Sequence, residues 1–419
     1  MTYKTITAAS IAALLIGASG AMAETWRYAF EEALDEVQGK FAQKFKEEVE
    51  ANSDHEIQLF PFGTLGESAD IMEQAQSGIL QFVDQSPGFT GALIPEAQVF
   101  FVPYLLPAEQ SQLVEFFRTS KAIHELFPPL YADQGLELLT MFPEGEVMMT
   151  TQEPVKSPED LNEVKFRVMT NPLLVDSYEA FGATPTPLPW GEVYGALQTG
   201  IIQGQENPAF YLESNKLYEV TNYITRPGHN NFTTAVMANK EFYDGLSDED
   251  KKVIQDATAA AFDFIVEYQE GLTEESLAKI KEAKPEITIT TLTEEEREPF
   301  KATAESVEQK FLEIGGSQAE AILEQMKADL AAVAEGGETA STAEGEAAAD
   351  EAAAEGEGEA AATEGEAAGA EATEGEATET EAAPEETGAA AEAEAPAEGE
   401  APTEGETAEG EAAEGETGN

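Results

Sequence analysis

Residues 165–208 read KFRVMTNPLLVDSYEAFGATPTPLPWGEVYGALQTGIIQGQENP, and the reading of this stretch decides the rest. Val164 to Val168 is a short β-branched and aromatic run that carries Arg167, one of only five arginines in 419 residues. A helix-compatible segment from Leu173 to Phe181 follows, then a proline-punctuated loop ending in Trp190 and a second helix from about Gly191 to Gln198. A strand that ends in a cation, followed by a loop bearing an indole, has the ingredients of a small-molecule site. An isolated Arg and Trp equally suit a surface ion pair and a core side chain, so the context must decide.

Outward from this stretch, the composition divides the chain. From Glu335 to Asn419 there is no Lys, Arg, aromatic, Leu or Ile, and a Thr-Glu-Gly-Glu or Ala-Glu-Gly-Glu unit recurs at Thr363, Thr373, Ala397 and Thr403. Such a segment cannot bury enough apolar surface to offset chain entropy and is expected to be a disordered acidic tail. It carries 28 of the 83 acidic residues and none of the 22 basic ones, so residues 1–334 keep 55 acidic residues and a net charge of −33. That balance opposes nucleic acid and anionic membrane surfaces as partners. It matches the acidic surface of a salt-adapted protein, whose self-repulsion counterions screen within about 10 Å.

At the other end, Met1 to Ala23 has Lys4, an apolar run from Ile11 and Ala21-Met22-Ala23 before Glu24. This is the pattern of a cleavable secretory signal, with cleavage expected after Ala23 and export to a bacterial periplasm. No other stretch approaches 18 consecutive apolar residues, so stable membrane insertion is not expected. The chain has no cysteine, hence no disulfide framework and no lipid-attachment site.

Between these ends the pattern alternates. Glu24–Phe30 reads as a strand, and Leu34, Val37, Phe41, Phe45 and Val49 recur at helical spacing. A strand at 56–61, a helix at 68–77 and a strand at 79–84 follow, then helical patterns at 108–119 and 120–134 and a strand at 136–142. Residues 147–151 suit an extended crossover, and strands are expected again at 232–238 and 287–292. Ser247 heads what reads as the longest helix; running to about Lys284 it would span ~55 Å unless Gly271 breaks it. The βαβα order predicts an α/β fold with a largely parallel sheet. We expect two α/β domains with a ligand cleft between them and the long helix bracing both. Their expected bounds are 24–147 with 235–276, and 148–234 with 277–334.

No catalytic constellation is evident. The three histidines, His55, His124 and His229, are not at metal-ligand spacing, and no nucleotide, serine-hydrolase or metalloprotease motif occurs. Neither metal nor cofactor is expected. What remains is a binding repertoire near strand ends and loops: Glu32, Phe89, Arg167, Trp190, Asn207, Phe210 and Phe232. The planar fork of an arginine suits a carboxylate, and aromatics near an acid suit a delocalised cation. A ligand carrying both charges would satisfy both. Taken singly, each aromatic also suits core packing, and Glu32 and Asn207 also suit solvated positions.

The pattern K-F-R-V-x-T-N-P, then F-G-A-T-P-T-P-L-P-W-G-E-V-Y-G-A-L-Q-T-G and Q-G-Q-E-N-P, resembles the periplasmic substrate-binding proteins of TRAP transporters. Trp26 to Glu32, Phe62 to Ser68, Ile79 to Gly91 and Pro143 to Glu146 are similar to the members of that family that bind ectoine and hydroxyectoine. The resemblance covers residues 24–330 and excludes the tail. It implies two α/β domains of periplasmic-binding-protein type, hinge closure on a solute, delivery to membrane permease subunits, and no enzymatic activity. It further implies that Arg167 holds a ligand carboxylate, Glu32 an amidinium, Asn207 a polar contact, and that Phe89, Trp190, Phe210 and Phe232 form an aromatic cage. Many members that bind dicarboxylates or sialic acid carry a second arginine where this chain has Val147. The expected ligand is therefore a small zwitterion, bound by a monomer. A C4-dicarboxylate or other small carboxylate is the rival ligand, and a secreted hydrolase the rival class.

Overall fold

The computed structural model describes residues 24–336. The expected leader and the acidic tail beyond Gly336 lie outside the described residues. Glu335 and Gly336, expected in the tail, instead end a helix over 319–336; Ala and Glu favour helix, so the helix continues through them and reaches its first glycine at Gly336.

Among the described residues ten strands build one mixed sheet: β1 Thr25–Ala29, β2 Glu56–Phe60, β3 Phe82–Gln85, β4 Leu136–Thr151, β5 Lys165–Val168, β6 Thr184–Pro187, β7 Gly204–Pro208, β8 Tyr223–Arg226, β9 Asn231–Asn239 and β10 Thr288–Thr291. Their order is β2-β1-β3-β9-β4-β7-β5-β6, with β8 also on β4 and β10 on β8. The βαβ units run parallel at β2-β1-β3 and at β7-β5-β6, as expected of strands separated by helical crossovers.

The pivot is β4. Expected as a strand and a separate crossover, residues 136–151 form one strand that changes partners midway. Leu136 to Glu146 pair with β9, and Val147 to Thr151 pair with β7. Register shifts at Leu138/Thr140 and Pro143/Gly145, with Gly145 at φ +127°, let the strand bend and tolerate a proline without ending. The polar run Pro143-Glu144-Gly145-Glu146 therefore stays extended. A large core runs from the first part of the sheet, with Trp26, Phe41, Phe82 and Phe142, on to Phe166, Tyr178 and Phe181 beside β5. A second cluster of Met148, Val193, Leu197, Leu212, Ile224 and Ile280 lies under the other part.

Other departures from the sequence reading have local causes. The strand expected from Ile79 starts at Phe82, because Gly78 at φ +76° closes the helix Ser68–Gln76 and leaves Ile79 half exposed. The proline-rich loop contains β6, an edge strand, the one place where Pro185 and Pro187 can lack N–H groups at little cost. The long helix is two: Asp248–Tyr268, capped by Ser247 Oγ on Asp250 N at 3.1 Å, and Leu272–Ala283, parted at Gly271 with φ +77°. The first packs on the helix Val37–Asn52 and the second on the helix Ala209–Ser214. The last helix, expected with the second domain, is tied to residues expected in the first, since Asp329 accepts from Ser120 Oγ at 2.8 Å and Ala122 N at 3.0 Å. Likewise Asn231 to Thr234 lie in β9 beside the first part of β4.

Candidate functional site

Glu31 and Glu32 follow β1 directly, in a loop that the helix Val37–Asn52 pins from below. Gln38, in the first turn of that helix, donates its backbone N–H to Glu32 Oε2 at 2.8 Å, a carboxylate at a helix N-terminus. Its side-chain oxygen accepts from Glu31 N at 2.8 Å, and Phe62 N donates to Glu32 O at 2.9 Å. The loop lies so close to the helix that a Cβ on Gly39 would stand 2.2 Å from Ala33 O and 2.6 Å from Leu34 Cα. Gly39→Ala should therefore cost about 1–3 kcal/mol and displace the two acids. A thermal melt equal to wild type would show that the loop yields freely.

Arg167 is the last but one residue of β5 and is 2 % exposed. Its Nε and Nη2 donate to Leu188 O at 3.0 and 2.8 Å, which fixes the plane of the guanidinium and anchors the loop before Trp190. No side-chain acceptor meets it among the described residues. Trp190 lies with its ring centroid 5.7 Å from Arg167 Cζ and 4.6 Å from the Tyr211 ring. Asn207, in β7, donates to Gln205 Oε1 at 2.6 Å. Phe89 stands in a single turn after β3 whose cap is Ser86 Oγ on Gly88 N, at 3.1 Å. Phe232 is in β9.

These side chains meet. Glu32, Phe89, Arg167, Trp190, Asn207 and Phe232 all line one cavity, together with Glu31, Gln38, Phe62, Ser68, Met169 and Tyr211. Phe210 does not line it. Successive residues of a helix project ~100° apart, and in the helix Ala209–Ser214 it is Tyr211 that faces the cavity. The Tyr211 hydroxyl donates to Glu31 O at 3.3 Å, whereas Phe210 lines a separate groove with Gly145, Arg226 and Asn231. Of the residues missed in the sequence, Glu31 and Tyr211 adjoin residues already singled out. Gln38 has no comparable signal, being one polar residue in an amphipathic helix.

The electrostatics are lopsided. Burial pulls the Arg167 guanidinium down to about 10, against the opposing pull of Tyr211, Glu206 and Glu31. Burial pushes Glu31 up to about 8 and lifts Glu32 and Asp84 well above the ordinary carboxylate range. One buried cation thus faces several buried acids. Three acids keep an oxygen with no donor, Glu31 Oε1, Asp84 Oδ2 and Glu144 Oε2. Such a cavity can grip an anionic group at Arg167 and a cationic one at the acids, with rings between. His229 is committed elsewhere, its Nε2 lying 3.1 Å from Glu206 Oε2 and 3.3 Å from Tyr178 Oη.

The family model for bacterial extracellular solute-binding proteins, family 7 (DctP) matches residues 29–314. The chain belongs to this family. Among its relatives, the ectoine/5-hydroxyectoine-binding periplasmic protein UehA of Ruegeria pomeroyi is 69% identical over 333 residues, 80% of this chain and 98% of that one. The ectoine-binding periplasmic protein TeaA of Halomonas elongata is 59% identical over 332 residues, 79% and 97% of the two chains. The solved structure of the periplasmic ectoine-binding protein from the TeaABC TRAP transporter of Halomonas elongata superposes with a TM-score of 0.73 at 60% identity. It covers 74% of this chain and 99% of its own. The α/β architecture is that of this family, whose named relatives are solute-binding proteins. No helix among the described residues is long and apolar enough to cross a membrane.

Proposed function

We propose that this protein captures ectoine and 5-hydroxyectoine in the periplasm and delivers them to the membrane subunits of a TRAP transporter, without chemistry of its own. The carrying observation is the composition of the cavity: one buried arginine, buried acids from the opposite part of the sheet, and aromatic rings between them. Arg167 takes the carboxylate through its free edge, Glu32 with Glu31 takes the amidinium, and Asn207 adds a polar contact. Phe89, Trp190, Tyr211 and Phe232 cover the ring. The binding names of UehA and TeaA agree with this reading.

A dicarboxylate suits the cavity poorly. A second carboxylate would meet Glu31 and Glu32, and Val147, buried and opposite Pro208 in the ladder, supplies no further cation. Closure is assigned to rotation about β4 between Pro143 and Val147, with residues up to that point and β9 moving as one body and β5 to β8 as the other. The protein acts as a monomer in its exported, leader-cleaved form, independent of nucleic acid and of membrane insertion.

A thermal-shift panel on the purified protein tests this. Ectoine at about 100 times its Kd should add ~2.7 kcal/mol and raise Tm by several degrees. Succinate or malate raising Tm while ectoine leaves it unchanged would replace the solute class, and turnover of an ester would restore the hydrolase.

A further inference from the structure

Glu144 does not line the cavity, yet it is bound to what does. It sits in the bent stretch of β4 and is 2 % exposed. Its Oε1 accepts from Gln38 Nε2 at 3.0 Å and from the Thr234 hydroxyl. Its Oε2 is fully buried and has no donor. Gln38 holds both this carboxyl and that of Glu32, which brings the two acids together at one residue. Gln38 locks the arrangement, since its backbone holds Glu32 at 2.8 Å while its amide holds Glu144 and also donates to Thr234 Oγ1 at 2.9 Å.

Two carboxyls cannot face one another in a dry site unless a proton or a cation lies between them. The surroundings supply no cation to the pair. Glu31 shares the loop, Glu36 precedes the helix, and Asp84 comes from β3, while Tyr211 and Tyr268 face the cluster from their helices. Arg167 acts on Glu31, and Arg226, beyond Gly145, is held by Glu146 and Glu274 at 2.7 and 2.8 Å. Burial raises both carboxyls, and the charge of Glu144 raises Glu32 further.

We propose that Glu144 is a positioning residue that shares a proton with Glu32, and that the cationic end of the solute takes that proton's place, so that capture releases a proton to solvent. The inference rests on the zwitterion reading above. It makes Glu144 and Gln38 determinants of charge selectivity: the pair presents one negative charge at rest and two when a cation arrives.

The test is calorimetric titration of the mature full chain with ectoine between about pH 5.5 and 8.5, in two buffers of different ionisation enthalpy. Wild type should bind more tightly as pH rises, by at most about tenfold per unit, and should release up to roughly one proton. Glu31 is a second raised acid in the cavity, so the variants are compared in a Glu31→Gln background. Glu31→Gln alone should keep the slope and the proton release, whereas adding Glu144→Gln places an amide donor where the proton was and should make affinity independent of pH, with no proton released. Glu144→Asp should restore the slope. A pH-independent wild type without proton release overturns the inference and leaves the functional reading intact, and a Glu31→Gln/Glu144→Gln double variant that still releases a proton overturns the assignment to Glu144. Failure of wild type to bind ectoine at any pH overturns the functional reading instead. Should the double variant fail to fold, the proton count of Glu31→Gln alone decides.

Discussion

Arg167→Ala should abolish capture of any carboxylate solute. The guanidinium is buried, held in plane by two hydrogen bonds to Leu188 O, and meets no acidic side chain, so its remaining donors have only the cavity to serve. Truncating one partner of a buried charge pair costs about 2–5 kcal/mol, roughly 30-fold to several thousand-fold in Kd. The ligand-free fold should survive, because removing an uncompensated buried charge relieves a desolvation cost that offsets the lost bonds to Leu188. Arg167→Lys separates the two roles. It keeps the charge but not the planar fork, so it should recover part of the affinity without the wild-type value. Unchanged ectoine affinity in the alanine variant, measured by calorimetry, would reduce Arg167 to an anchor for the loop before Trp190.

Glu32→Gln should weaken ectoine selectively. The amide oxygen can still accept from Gln38 N, so the loop keeps its shape, but the charge that meets the amidinium is gone. A charge-assisted hydrogen bond contributes about 1.5–3 kcal/mol, so ectoine affinity should fall roughly ten- to a hundred-fold. A plain monocarboxylate of similar size, which uses Arg167 alone, should change by less than about threefold, within the scatter of a distant polar substitution. Equal losses for both ligands would mean that Glu32 shapes the loop and does not read charge.

Much of this was legible before any fold was in view. The cap at Ser247, the helix from Val37 and the parallel βαβ order follow from residue type and spacing over a turn or two. Six of the seven site residues singled out, Phe210 excepted, meet at one cavity, because strand ends and loops concentrate polar and aromatic side chains where helices leave the sheet. The failures are of range. Phe210 and Tyr211 cannot be ranked without knowing which face of a six-residue helix the sheet covers. β7, Gly-Gln-Glu-Asn-Pro, shows no alternation because all five of its residues are buried.

The sequence by itself determined the family, the charge balance, the absence of cysteine and the residues able to grip a zwitterion. These are properties of residue identity and of neighbours a few positions apart. Only the tertiary structure decided which acids share one cavity with Arg167, and that Glu144 stands behind Glu32. Gln38 reaches Glu144 across 106 residues and Thr234 across 196, and both lie where β4 bends beside β9 between its two sets of partners. No local pattern encodes that meeting. The bend of one long strand brings the acids together, and their burial gives them their chemistry.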